Sequence, residues 1–222
     1  MGIAENLKTI RKEIPEHVTL VAVSKTKADE LIMEAYRAGH RDFGENKVQD
    51  LAAKQERLPA DIHWHMIGHL QSNKVKYLSS FVHMIHGVDS LKLLSVIDRE
   101  AQKHGRIIDC LLQIHIAMED SKFGLTEDEL MLLLDSGTFR EMKHVRIRGL
   151  MGMATYTENS DQIREEFRHL KRIFDRLKDE RFSGQASFDQ LSCGMSGDYP
   201  LAIEEGSNLV RIGSLIFGPR NY

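Results

Sequence analysis

Eight short apolar runs recur along the chain, each followed by a segment with helical spacing or by a helix-like turn. This alternation constrains the fold more than any other feature, because strands that alternate with helices pair in parallel and need helices on their faces. The runs fall at 21–23, 41–44, 62–67, 81–88, 107–116, 145–151, 188–192 and 209–212, and the fifth is the longest and reads as fully buried. Between them, Ala28, Leu31, Ile32, Ala35 and Ala38 share one helical face that Gly39 closes. Residues 45–49 lead into a further helix that reaches about Arg57 before Pro59, and a loop and helix start occupy 68–74. Asp89-Ser90 caps a helix that ends at Gly105, and Thr126 with Glu129 forms a capping box for a helix stopping near Gly137. Residues 161–180 carry the clearest helical period, and 196–205 a last helix. Met1 to Glu13 place Ile3, Leu7 and Ile10 at helical spacing among charges, an amphipathic helix and neither a secretory signal nor a membrane span. With no linker or composition shift, residues 1–222 are expected to form one domain of the α/β class, a single (β/α)8 TIM barrel. A doubly wound open sheet is the alternative. No G-x-G-x-x-G follows the first strand, so its dinucleotide-binding version loses support.

Composition narrows the function. Hydrophobic residues at 41% supply a substantial core, and a net charge of -3 offers no basic footprint for nucleic acid or anionic membrane. Cys110 and Cys193 do not form a disulfide framework, which fits a reducing cytoplasm.

A parallel barrel binds ligands at the C-terminal ends of its strands, commonly with a phosphate in the loops after strands seven and eight. Lys25 stands at the C-terminal edge of the first strand. On that stretch alone the commoner reading is an exposed lysine in a βα loop; held there and desolvated, the same amine is a nucleophile. Ser192-Cys193-Gly194-Met195-Ser196-Gly197 follows strand seven and opens a helix, and Arg211-Ile212-Gly213-Ser214 ends strand eight. Either segment alone reads equally well as a glycine-rich turn with capping serines. Their joint position matches the expected phosphate site, and a nucleophilic lysine across the mouth suggests an aldehyde-bearing phosphate such as pyridoxal 5'-phosphate.

The segments V-A-V-S-K-T-K, F-G-E-N-K-V-Q, H-M-I-G-H-L-Q-S-N-K, G-L-M-G-M, L-S-C-G-M-S-G-D-Y, G-S-N-L-V-R-I-G and I-F-G-P-R-N-Y, in that order over nearly the whole chain, resemble the pyridoxal phosphate homeostasis protein family. The resemblance implies a fold-type III barrel like the N-terminal domain of alanine racemase, without its C-terminal β domain. It implies pyridoxal 5'-phosphate bound as a Schiff base to Lys25, with Asn46 beside the cofactor. Ser192, Gly194, Met195, Gly213 and Ser214 would surround the phosphate, and Arg211 would face the pyridine nitrogen. Two positions depart from the family pattern: Cys193 stands where a methionine is usual, and Asn208 where a threonine is common.

A guanidinium opposite the pyridine nitrogen cannot accept its proton, so it disfavours the charged ring that serves as an electron sink. Racemisation also needs a second base, which alanine racemases take from a separate domain; the terminal Tyr222 reads as packing or fray. The expected function is therefore a cytoplasmic holder and deliverer of pyridoxal phosphate, with apo pyridoxal-dependent enzymes as candidate partners and no catalytic residue. A weak amino-acid racemase or related enzyme is the alternative. Absence of the second domain removes the dimer contact of the racemases, so a monomer is expected. His63 and His65 share one strand face near His69, but no acidic or cysteine ligand is suitably spaced, and they read as core or rim histidines with no metal. Trp64 reads as core or interface, and Met151 and Met153 as barrel packing. Cys193 would be a reactive thiol only if the helix N-terminus lowered its pKa.

Overall fold

The computed structural model describes residues 2–118 and 123–219. Eight parallel strands close into a barrel in chain order: β1 (Thr19–Val23), β2 (Asp42–Glu45), β3 (His63–Met66), β4 (Met84–Val88), β5 (Ile108–Gln113), β6 (Val145–Met151), β7 (Gln190–Ser192) and β8 (Leu209–Ile212). Closure is made by β1 and β8, which pair from Thr19 with Leu209 to Ala22 with Ile212. The helices are α1 (Ile3–Glu13), α2 (Asp29–Arg37), α3 (Val48–Arg57), α4 (Leu91–Lys103), α5 (Glu127–Asp135), α6 (Gly137–Glu141), α7 (Ser160–Glu180), α8 (Tyr199–Glu204) and α9 (Ser214–Phe217).

The apolar periods explain the layers. The larger core lies between sheet and helices, where α7 buries Ile163, Phe167, Leu170, Phe174 and Leu177, the residues whose spacing marks it as a helix. A small second core, Val21, Met84, Leu111, Met151 and Leu209, fills the barrel interior, with Ile67 and Met153 against it. Trp64 is buried in the larger core. Gly149 adopts φ +150° in β6, and an added Cβ would lie 1.8 Å from the Gln190 carbonyl oxygen, so only glycine permits this strand approach.

Three local readings differ from the structure. Gly137 does not end the helical region but begins α6, because Ser136 accepts the Phe139 amide at 3.1 Å and caps a new turn. The segment after β3 forms only a 3₁₀ turn, Ser72–Tyr77. Ile107, read as buried strand, precedes β5 and is exposed. The capping box of α5 is present, with the Thr126 amide donating to Glu129 at 2.9 Å. Among the described residues no helix is long and apolar enough to cross a membrane. Arg220, Asn221 and Tyr222, the end of the last quoted motif, lie outside them.

Candidate functional site

A cavity of about 690 Å³ opens at the C-terminal ends of the strands, and Lys25, Asn46, Met195, Arg211, Gly213 and Ser214 all line it. Lys25, half-buried, follows the end of β1 in a turn where Thr26 takes φ 64°, a left-handed conformation uncommon outside glycine. A buried network fixes that turn. Ser24 donates through its hydroxyl to Glu45 Oε1 at 2.7 Å, and the Lys54 ammonium donates both to Glu45 Oε1 at 2.7 Å and to the Ser24 carbonyl at 2.9 Å. Burial raises the Glu45 carboxyl above its ordinary value, with Lys54 pulling the other way, and among the described residues Glu45 Oε2 has no hydrogen-bond partner. From the other side Lys27 Nζ donates to the carbonyls of Phe217, Gly218 and Pro219 at 3.0–3.2 Å, tying the turn to the segment after α9. The lysine amine is thus carried on a backbone held at both flanks.

Arg211, on β8 and only 4% exposed, lines the same cavity as Lys25 from the strand that pairs with β1. Its Nη1 donates to the Ser192 carbonyl and hydroxyl and its Nη2 to the Gly152 carbonyl, but among the described residues no carboxylate pairs with it. Burial lowers its pKa from the ordinary value, yet guanidinium remains charged in proteins. Behind it a line of polar contacts crosses the barrel: Ser192 Oγ to His86 Nδ1 at 3.4 Å, His86 Nε2 to His65 Nδ1 at 2.9 Å, and His65 Nε2 to Asp42 Oδ1 at 3.2 Å. One assignment of donors satisfies every contact, with each group donating toward Asp42 and accepting from the Arg211 side. Burial drives the His86 pKa well down, with the charge of Arg211 adding to it, so this ring is neutral as the assignment requires.

The loop after β7 brings Met195 to the cavity. Gly194 at φ 94° allows the bend, and a Cβ there would meet Ala202 Cβ at 2.7 Å on α8. The Gly213 amide donates to Ser196 Oγ at 3.2 Å, joining the two segments on which a phosphate site was expected. The amides of Ser214 and Leu215 open α9 and have no acceptor within that helix.

A family model described as alanine racemase, N-terminal domain, matches residues 2–221. The pyridoxal phosphate homeostasis protein of Aquifex aeolicus is 39% identical over 204 residues, covering 91% of this chain and 87% of that protein. Its counterpart from Haemophilus influenzae is 34% identical over 235 residues, covering 100% and 98%. The chain belongs to the pyridoxal phosphate homeostasis protein family. Of solved structures, PipY of Synechococcus elongatus without PLP superposes with a TM-score of 0.90 at 37% identity, covering 97% of this chain and 100% of PipY. PipY with PLP bound gives 0.87 at 36%, with the same coverage. An alanine racemase from Bartonella henselae, 18% identical with a TM-score of 0.69 over 99% of this chain and 60% of the racemase, shares the fold.

Against the family pattern, six of the eight expected site residues meet at the cavity, whereas Ser192 and Gly194 stand behind its wall. Ser192 is fully buried and engaged with Arg211 and His86, and Gly194 accepts the Arg211 amide at 3.0 Å. Asn208, where the family commonly has threonine, stitches β7 to β8: it accepts the Leu191 amide at 2.8 Å and donates to the Asp189 carbonyl at 2.6 Å. Cys193 is no activated thiol, because burial pushes its pKa up to about 12. Sequence reasoning missed Lys27, Tyr156 and Asp198 as cavity residues and took Met153 as packing only, though it both packs and lines the wall. Lys27 and Asp198 lie inside the quoted motifs, which were the available signal. The residues present fit a pyridoxal phosphate: a lysine amine, a buried guanidinium bonded among the described residues to neutral oxygens alone, and amide-bearing turns from β7 and β8 converge on one cavity.

Proposed function

We propose that this protein binds pyridoxal 5'-phosphate at the mouth of the barrel, with Lys25 as its covalent anchor, and serves to hold and deliver the cofactor in pyridoxal phosphate homeostasis. The observation that carries this reading is the burial of Arg211 on the cavity wall with only neutral oxygens accepting its hydrogen bonds among the described residues, because a buried cation is costly unless the site takes a ligand of complementary charge or lone pairs. The PLP-bound structure of PipY and the shared family name support it. When bound, pyridoxal phosphate supplies an aldehyde that condenses reversibly with an amine, losing water, and a ring that withdraws electrons.

The chain's own residues determine how that chemistry is used. Lys25 Nζ is the amine, held by the Ser24–Glu45–Lys54 network and the Lys27 tether. Arg211 faces the ring nitrogen as a donor that cannot take its proton, which weakens electron withdrawal and favours holding over turnover. Met195, Gly213 and Ser214, which line the cavity, would border the phosphate, and Asn46 would lie beside the ring. Ser192 and Gly194 act one layer back by positioning Arg211. Apo pyridoxal-dependent enzymes are the recipients.

Borohydride reduction of the loaded protein followed by peptide mass mapping tests the anchor. A pyridoxyl adduct on the peptide containing Lys25, lost in Lys25→Ala, is the expected result, and an adduct on a different lysine sinks the assignment. Incubation with amino acids in heavy water separates holder from racemase: sustained catalytic deuteration at Cα would replace the holding function with an enzymatic one.

A further inference from the structure

The opposite end of the barrel carries a second constellation, joined to the cofactor site only through Asp42, which ends the line behind Arg211. Asp42 begins β2, His63 begins β3 directly opposite it in register, and His83 immediately precedes β4. The imidazoles of His63 and His83 stack with centroids 4.6 Å apart and planes 17° apart. Asp42 Oδ1 accepts from His63 Nδ1 at 3.1 Å and from His65 Nε2 at 3.2 Å. Among the described residues its Oδ2 has no partner, and neither ring nitrogen of His83 has a hydrogen bond. One ligand atom from each of Asp42, His63 and His83 lies within 4.8 Å of the others.

We propose that Asp42, His63 and His83 form a binding site for a borderline divalent transition-metal ion, of which Zn²⁺ is the type, at the N-terminal rim of the barrel. Zinc bound to imidazole and carboxylate at about 2.0–2.1 Å in a tetrahedron sets its ligand atoms about 3.3 Å apart. The His63–Asp42 separation of 3.1 Å is already close to that edge, and the remaining approach needs side-chain rotation alone. Their main chains are held by pairing of β2 with β3 and by the His83 amide donating to the Trp64 carbonyl at 2.8 Å. Two imidazoles and one carboxylate select zinc, cobalt, nickel or copper over magnesium or calcium, which prefer all-oxygen shells. His65, buried and anchored to His86, holds Asp42 Oδ1 from behind as an outer-sphere donor does in metal sites. The His63 side chain is 50% exposed and that of Asp42 24%, so an ion reaches the site without unfolding and water completes the shell.

The neighbouring acid does not compete. Asp109 is committed to Arg146 at 2.6 Å and Arg148 at 2.8 Å. His69, grouped with His63 and His65 by sequence, is not a ligand, because it stacks on Phe123 at 4.2 Å and pairs with Asp89 at 3.3 Å. No acidic ligand is legible in the sequence because Asp42 comes from a different strand, 21 positions before His63.

The test is calorimetric titration of the purified full chain with zinc chloride, and separately with magnesium chloride. One equivalent of Zn²⁺ is expected to bind, weakened at least ~10-fold in His63→Ala and in His83→Ala, with no saturable Mg²⁺ uptake. Both histidines are exposed, so the variants are expected to fold, with circular dichroism as the check. Should either fail to fold, zinc titration of the unsubstituted protein with NMR detection of the histidine rings gives the answer, the His63 and His83 resonances shifting together with saturation at one equivalent. Absence of zinc binding, zinc binding unchanged in both variants, or zinc-dependent shifts confined to other histidines would each overturn the proposal.

Discussion

At the scale of single residues, Arg211 shows how a charge is kept in a barrel wall with no carboxylate hydrogen-bonded to it among the described residues. Its three protein acceptors are neutral oxygens, and the nearest carboxylate along its hydrogen-bond line is Asp42, reached only through Ser192, His86 and His65. Burial works against ionisation of Asp42, but its hydrogen-bonding contacts with His65 and His63 outweigh it and hold its carboxyl well below the usual range. The line therefore ends in a stable anion. His86→Leu removes its middle member and leaves the Ser192 hydroxyl proton without its acceptor and His65 Nδ1 without its donor, at about 1–3 kcal/mol for each group. Urea unfolding is expected to show that loss. The absorbance of bound pyridoxal phosphate is expected to shift as Arg211 loses its support, whereas an unchanged spectrum would mean that the line does not position Arg211. Lys25, Arg211 and the glycine-rich turns were legible in the sequence because strand ends and turn residues are local signals. The line behind Arg211 was not, because its members come from four strands and meet only by register.

At the scale of elements, the Glu45–Lys54 pair joins β2 to α3 and pins the turn that carries Lys25. Its side chains are 0% and 7% exposed, and breaking such a pair from one side leaves an uncompensated buried charge. Lys54→Met is expected to cost about 3–5 kcal/mol and to loosen cofactor retention, while the double variant Lys54→Met/Glu45→Leu recovers most of the stability. Chemical denaturation of the three proteins measures the difference, and equal losses in the single and double variants would remove the pair from this role. Gly149→Ala places a Cβ against the Gln190 carbonyl oxygen, where β6 and β7 pair, and is expected to destabilise the fold by about 3 kcal/mol. Helix α6 shows why element boundaries are harder to read than elements: Gly137 is a stop signal by composition, and Ser136 turns it into a start by capping.

For the whole molecule, pH acts through buried imidazoles. His40 accepts from Arg11 of α1 at 3.1 Å and donates to the Asp42 carbonyl at 2.8 Å, an arrangement open only to the neutral ring. Burial, opposed by the Asp42 contact, pushes its pKa down to about 4. A lowered histidine pKa means that the unfolded chain binds the proton more tightly. The contribution is therefore whole above pH 6.5 and is lost as pH falls toward 4. The span from 6.5 to about 4 corresponds to about 3 kcal/mol, and His86 acts in the same direction. Urea midpoints measured from pH 7 to 4.5 are expected to fall steeply below pH 6.5, and less steeply in His40→Gln; parallel curves would remove His40 from the acid response.

The (β/α)8 alternation, the amphipathic faces of the helices and the strand ends on which Lys25 and Arg211 sit are written in the amino-acid order. Each of these arises from periodicity and turn chemistry within a few residues of chain. The folded chain adds what no short segment holds: Ser192 stands behind Arg211 instead of at the cavity, Asp42 meets two histidines of β3, and Cys193 is too buried to be a thiolate. Those outcomes depend on barrel closure and strand register, which set neighbours across the sheet that no local pattern in the chain encodes.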